Sequence, residues 1–275
     1  MKVTCIQMNM RFSDPDGNFD RAEQLIAQAA AGSDVLVLPE TWNAGFFPRE
    51  ELERFADEDG KRVKERIGAL ARKYAVNIVA GSVVNRKTGG IYNTAFVFDR
   101  NGKEIGAYDK THLFTPMAED KYFQKGDHLT FFELDGVRCG IIICYDIRFP
   151  ELVRSYAVKG LDMLFVVSQW PAVRIPHLLA LTKARAIENQ MFVVCCNSCG
   201  TAGSTVYGGS SSIHDPWGET LAQAGSEEEI LTADCDLSVV RGIRDSINVF
   251  RCRQEEQEGF TLLLLERPPE CRLQA

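Results

Sequence analysis

Short, uninterrupted apolar runs alternate with amphipathic stripes along this chain, and that alternation points to an α/β fold. VLVL before Pro39, GIIIC at 140–144, MLFVV at 163–167 and MFVV at 191–194 are each too short for a one-faced helix and read as buried strands. Phe19, Ala22, Leu25, Ile26 and Ala29 recur at helical spacing after the turn-rich SDPDGN, and Val63, Ile67, Leu70, Ala71 and Tyr74 form a second stripe. NIVAGSVV and IYNTAFVF predict further strands, the latter closed by an Asp-Arg-Asn-Gly turn. PELVRSYAVKG predicts a short helix ending at Gly160. HLLALTKARAIENQ predicts a longer one carrying Leu178, Leu181, Ala184, Arg185 and Ile187, and a hairpin is expected around Asp215, Pro216 and Gly218. The residues after about Arg251 carry little pattern, so 252–275 reads as a C-terminal arm or tail. There is no fixed-period repeat and no low-complexity linker, and 1–275 therefore reads as a single domain of two sheets enclosed by helices.

Composition narrows the partners. With 275 residues and 45% hydrophobic content the chain can bury a core without staples. A formal charge of -7 argues against a basic footprint for nucleic acid or an anionic membrane, leaving a small molecule as the expected ligand. The nine cysteines are odd in number and several fall inside apolar runs, which suits reduced thiols in a cytoplasmic protein better than disulfides. MKVTCIQMNM alternates polar and apolar residues and reads as a first strand rather than a signal peptide. No apolar run approaches the roughly 20 residues that span a bilayer.

Chemistry on α/β folds collects where strands end and loops emerge. Three such ends carry reactive side chains: Glu40 after VLVLP, Lys110 after EIGAYD, and Cys144 after RCGIII. A carboxylate, an ammonium and a thiol are the parts of nucleophilic acyl transfer. A thiol of pKa about 8.5 is mostly protonated at neutral pH; a nearby ammonium and a helix N-terminus favour the thiolate, and Lys110 with the segment from Pro150 could supply them. Glu40, if its pKa rises toward neutrality, could shuttle the proton. Taken singly, each residue also has an ordinary reading: Cys144 as core filler, Glu40 as a helix-start carboxylate, Lys110 as an exposed loop charge.

Taken together, LPETWNAGF around Glu40, YDKTHLF around Lys110 and GIIICYDIRFPEL around Cys144 resemble the three catalytic signatures of the nitrilase superfamily of carbon-nitrogen hydrolases. GSVVN, GGIYNTAFVF, SQWPAVR, KARAIENQ and SSSIHDPWGE extend the likeness over nearly the whole chain. The resemblance implies a four-layer αββα sandwich that forms a homodimer and uses neither cofactor nor metal. It implies Cys144 as nucleophile, Glu40 as general base and acid, and an oxyanion site made by Lys110 and the backbone N–H of Tyr145. Glu119 in HLFTPMAED matches a second family glutamate that positions the lysine, although beside Asp120 and Lys121 it could equally be a solvated loop acid.

The CYDIRFPE form resembles the amidase branches, including ω-amidases and deaminated-glutathione amidases, whose substrates are short 2-oxo acid amides bearing a carboxylate. Arg174 is the candidate partner for that carboxylate, with a structural ion pair as the competing reading. Met117, Tyr145 and Trp170 are candidates for the pocket wall, and Arg148, flanked by Asp146 and Glu151, is assigned to holding the elbow. VFRCRQEEQEGF departs from the Arg-rich, tyrosine-ended stretch of many relatives, and CCNSC is unusual. Competing functions are N-carbamoyl amide hydrolysis, zinc binding through Cys195, Cys196 and Cys199, a Cys–His hydrolase using His112, and a catalytically silent interaction module.

Overall fold

The computed structural model describes residues 1–45 and 51–253. In chain order it forms β1 (Lys2–Gln7), α1 (Pro15–Ala29), β2 (Val35–Val37), α2 (Leu52–Phe55), β3 (Asp57–Glu58), α3 (Lys61–Tyr74), β4 (Asn77–Lys87), β5 (Gly90–Phe98), β6 (Glu104–Asp109), β7 (Phe131–Leu134) and β8 (Val137–Ile143). There follow α4 (Pro150–Ala157), β9 (Met163–Ser168), α5 (Ile175–Asn189), β10 (Phe192–Asn197), β11 (Cys199–Ala202), β12 (Thr205–Gly208), β13 (Ser212–His214), β14 (Thr220–Gln223), β15 (Glu229–Asp234) and α6 (Ser238–Ser246).

One sheet runs β15-β1-β2-β4-β5-β6, with β3 beside β4; a second runs β14-β13-β10-β9-β8-β7. Their facing sides share one core, in which Val3, Val35, Val37 and Val97 meet Ile141, Phe165, Val167 and Val193. Behind the first sheet, Ile6, Leu36, Ile78 and Phe98 pack on Phe19, Leu25 and Ile26 of α1 and on Val63, Ile67 and Ala71 of α3. Behind the second, Tyr156 and Ala157 of α4 and Leu178 and Ala186 of α5 join its core. This is the four-layer αββα arrangement. The expected hairpin forms as β13–β14, and Asp14 caps α1 by accepting from the Gly17 N–H at 3.0 Å.

Several expectations are corrected. Of the residues expected on α5, Leu178 and Arg185 are buried, together with Thr182, Ala186 and Asn189, while Ile187 is 48% exposed. β7, β15 and α6 carry no clear pattern in sequence. β15 closes the first sheet by pairing antiparallel with β1, Lys2 opposite Asp234, a contact no local signal encodes. The expected arm at 252–275 lies outside the described residues except for Cys252 and Arg253. No helix among the described residues is long and apolar enough to cross a membrane.

The β2, β4 and β6 strands run the same way in the first sheet, as do β8, β9 and β10 in the second. Their carboxyl ends therefore collect at one edge.

Candidate active site

Glu40 owes its position to a bulge in β4. The pairing of β4 with β5 shifts register between Val79 and Ser82, and Gly81 adopts φ +62° there. The freed backbone grips the segment after β2: the Ser82 N–H donates to the Pro39 carbonyl at 3.0 Å, the Thr41 N–H to Ser82 Oγ at 2.9 Å, and the Trp42 indole to the Ala80 carbonyl at 2.8 Å. A Cβ on Gly81 would lie 2.1 Å from the Pro39 oxygen, so glycine is required for this approach. The Glu40 carboxylate is thereby held rigidly. Its Oε1 accepts from Asn93 Nδ2 at 2.9 Å and Lys110 Nζ at 2.8 Å, and its Oε2 accepts from the Gln169 N–H at 2.9 Å.

Lys110, one residue past β6, is only 2% exposed. Its ammonium donates to Glu40 and, at 2.9 Å, to Glu119 Oε1, so two of its three hydrogens are committed and one remains for the cavity that Lys110 lines. Burial works against its charge, yet Glu119 and Glu40 outweigh that and hold its pKa well above the ordinary value. Glu119 is likewise buried, which removes the solvated-acid reading of this residue; its Oε2 accepts from the Phe114 N–H at 2.6 Å. Burial and the neighbouring Glu40 charge raise its pKa, with Lys110 opposing.

Cys144 ends β8 in the left-handed region, φ +48°, and opens a 3-10 turn from Cys144 to Arg148. A non-glycine residue there costs about 1–2 kcal/mol, and Asp146 supplies the compensation. Its fully buried carboxylate accepts from the Ile143 N–H, the Tyr108 hydroxyl, the Thr111 hydroxyl, and both the backbone and ring nitrogens of His112, binding the turn to the Lys110 segment. From behind, the guanidinium of Arg185 donates twice to the Ile147 carbonyl, at 3.1 and 2.9 Å. The Tyr145 N–H stands in the first, unbonded part of the turn.

The help expected from Lys110 and the segment from Pro150 toward a thiolate is outweighed. Burial first, then the Glu40 charge, raise the Cys144 pKa; Lys110, the Ser168 hydroxyl and the Gln169 N–H oppose but do not prevail. Lys110 spends its charge on two carboxylates, and α4 starts six residues beyond the sulfur, so the resting group is a thiol.

A cavity of about 420 Å³ opens above these groups, lined by Glu40, Lys110, Glu119, Cys144, Met117, Tyr145, Trp170 and Arg174. Phe114, Gln169, Pro171 and Arg148 complete it. Arg174 has no carboxylate within 4.0 Å among the described residues, and its guanidinium lies over the Phe114 ring. Arg148, expected to hold the elbow, instead bonds His177 Nδ1 at 3.3 Å and lies over the Trp170 ring, while the Asp146 oxygens are taken by Ile143, Tyr108, Thr111 and His112. Asn93 and Gln169, which fix Glu40, went unassigned in sequence although both stand in family-like motifs, GGIYNTAFVF and SQWPAVR.

The rival arrangements find little support. The ring of His112 is spent on Asp146 and stacks on Phe149 with centroids 3.7 Å apart, away from the cavity. Cys196 donates to the Ile6 and Val37 carbonyls, and Cys199 to that of Gln7. Among the described residues no group of three His, Cys, Asp or Glu is placed to hold a metal ion.

The carbon-nitrogen hydrolase family model matches residues 2–245. The chain belongs to this family. Among the relatives of this carbon-nitrogen hydrolase, the 2-oxoglutaramate amidase of Bacillus subtilis is 43% identical over 248 residues, covering 90% of this chain and 95% of that one. A carbon-nitrogen hydrolase superfamily protein from Xanthomonas campestris, solved with an arsenic adduct in its active site, matches with a TM-score of 0.87 at 28% identity, covering 94% of the present hydrolase and 98% of that chain. An amidase from Nesterenkonia sp. AN1 matches with a TM-score of 0.81 at 25% identity, covering 92% and 94%; its glutamate-to-glutamine mutant carries the acetamide moiety of fluoroacetamide covalently on the active-site cysteine.

Proposed function

We propose that this hydrolase is an ω-amidase, releasing ammonia from a short carboxamide whose far end is a 2-oxo carboxylate, through a thioester on Cys144. The observation that carries the reading is the Lys110 ammonium buried between Glu40 and Glu119 on the floor of a cavity that also holds the Cys144 thiol. In this reading Glu40 takes the thiol proton as sulfur attacks the amide carbon, a transfer the resting thiol makes necessary. The resulting oxyanion is held by the third hydrogen of Lys110 and the Tyr145 N–H; removing one such donor costs about 3 kcal/mol in other enzymes. Glu40 hands its proton to the departing nitrogen, and ammonia leaves. Glu40 then deprotonates a water that attacks the thioester, and the proton returns to sulfur as the acid is released. Glu119 positions Lys110, and Met117 and Trp170 wall the small substrate.

Arg174 supports the substrate class by offering a guanidinium to the remote carboxylate, and the 43% identity to a 2-oxoglutaramate amidase points the same way. The single-domain reading of 1–275, a homodimer and a cytoplasmic site accompany this proposal; the described cysteines are all free. Size-exclusion chromatography with light scattering tests the dimer. Ammonia release from 2-oxoglutaramate, 2-oxosuccinamate, deaminated glutathione and an N-carbamoyl amine tests the activity. The 2-oxo acid amides should be turned over best; preferential turnover of the N-carbamoyl amine would overturn the assignment.

A further inference from the structure

We propose that Arg148 is a specificity-determining residue: with Arg174 it forms a two-cation reader for the carboxylate and adjacent 2-oxo oxygen of the substrate. The inference rests on the ω-amidase reading and deepens it.

The charges around the cavity divide into two sets. On the floor, Lys110 is matched by Glu40 and Glu119. On the wall, Arg148 and Arg174 both line the space, and neither has a carboxylate within 4.0 Å among the described residues. The carboxylates of the cavity are engaged on the floor with Lys110, so the two guanidiniums on the wall repel one another without a paired counter-charge, a cost an anionic occupant relieves. A neutral amide would leave both without a counter-charge.

Trp170 holds the pair in place. Its indole N–H donates to the Arg174 carbonyl at 2.8 Å, and its ring face supports the Arg148 guanidinium at 4.8 Å. Trp170 is itself fixed, its backbone N–H donating to Asn197 Oδ1 at 2.7 Å. Arg148 gives one hydrogen bond to His177 Nδ1, at 3.3 Å. One of five N–H donors is thus occupied, and the planar fork retains enough to bind a carboxylate and a neighbouring carbonyl oxygen together. Cys144, Arg148 and Arg174 line the same cavity, so one short substrate can present its amide to Cys144 and its oxo acid to the arginines.

The test compares kcat/KM for 2-oxoglutaramate with that for butyramide, a neutral amide, in the wild type, Arg148→Gln and Arg148→Lys. The ratio should fall roughly 10- to 100-fold in Arg148→Gln, the loss expected for a charge-assisted bond. The fall should come from KM for 2-oxoglutaramate, and Arg148→Lys, which keeps the charge without the fork, should recover part of it. Inhibition of butyramide hydrolysis by 2-oxoglutarate should weaken in parallel. An unchanged ratio in both variants, with both substrates losing kcat equally, would make Arg148 a support of the Cys144 turn and overturn the inference. A wild type with no preference between the two substrates would instead remove the ω-amidase reading on which it rests.

Discussion

Replacing Glu119 with glutamine separates positioning from folding. The substitution keeps the side-chain shape but takes one of the two carboxylates from Lys110, at 2.9 Å, and leaves a single amide oxygen where both Lys110 and the Phe114 N–H now find acceptors. One charge-assisted hydrogen bond is worth about 1.5–3 kcal/mol. If that bond aims the third ammonium hydrogen at the oxyanion, kcat falls by roughly 10- to 150-fold at about 1.4 kcal/mol per decade. Stability follows a different course. Burial and the Glu40 charge raise the Glu119 pKa in the folded state, so the wild type loses stability as pH rises from the ordinary carboxylate value of 4.5 through the folded one. Glutamine does not titrate, and Glu119→Gln should gain on the wild type over that window. Steady-state ammonia release and thermal unfolding at several pH values read the two effects separately. Wild-type kcat in a folded Glu119→Gln, or a stability deficit that grows with pH, would refute the reasoning.

Further outcomes follow from the same geometry. Lys110→Ala leaves two buried carboxylates facing each other and should cost activity on the order of 10²-fold or more, whereas His112→Gln, which perturbs only the Asp146 network, should retain most activity; comparing the two in one assay decides against or for a Cys–His mechanism. Gly81→Ala should destabilise by more than the about 1–2 kcal/mol of the left-handed backbone, because its Cβ meets the Pro39 oxygen. Gly32→Ala, at φ +83° with open space around it, should show only the backbone cost in denaturant titrations. Because the Cys144 pKa is raised, its alkylation by iodoacetamide, followed on the peptide containing Cys144 in a Cys252→Ser, Cys271→Ser background, should accelerate steadily with pH; a plateau near neutrality would reveal a preformed thiolate.

Much of the layered fold was legible because apolar runs of strand length and stripes of helical spacing are local signals. Glu40, Lys110 and Cys144 also stood out locally, each at the end of such a run. What sequence missed depends on distant partners. β15 joins β1 across most of the chain. The local sequence assigns Arg148 to holding the elbow between Asp146 and Glu151, but residues two apart in a helical turn point to different sides: Asp146 binds the Lys110 segment while Arg148 lines the cavity. The pull of Lys110 on the sulfur was likewise illegible, since sequence does not show that two carboxylates already surround the ammonium.

The central claim is a covalent acyl-enzyme on Cys144. Rapid acid quench of the wild type during turnover of 2-oxoglutaramate, followed by intact-mass and peptide analysis, measures it directly. The account predicts an acyl adduct on the peptide containing Cys144 and no turnover by Cys144→Ala. Continued hydrolysis by Cys144→Ala, or an adduct on another residue, would contradict it.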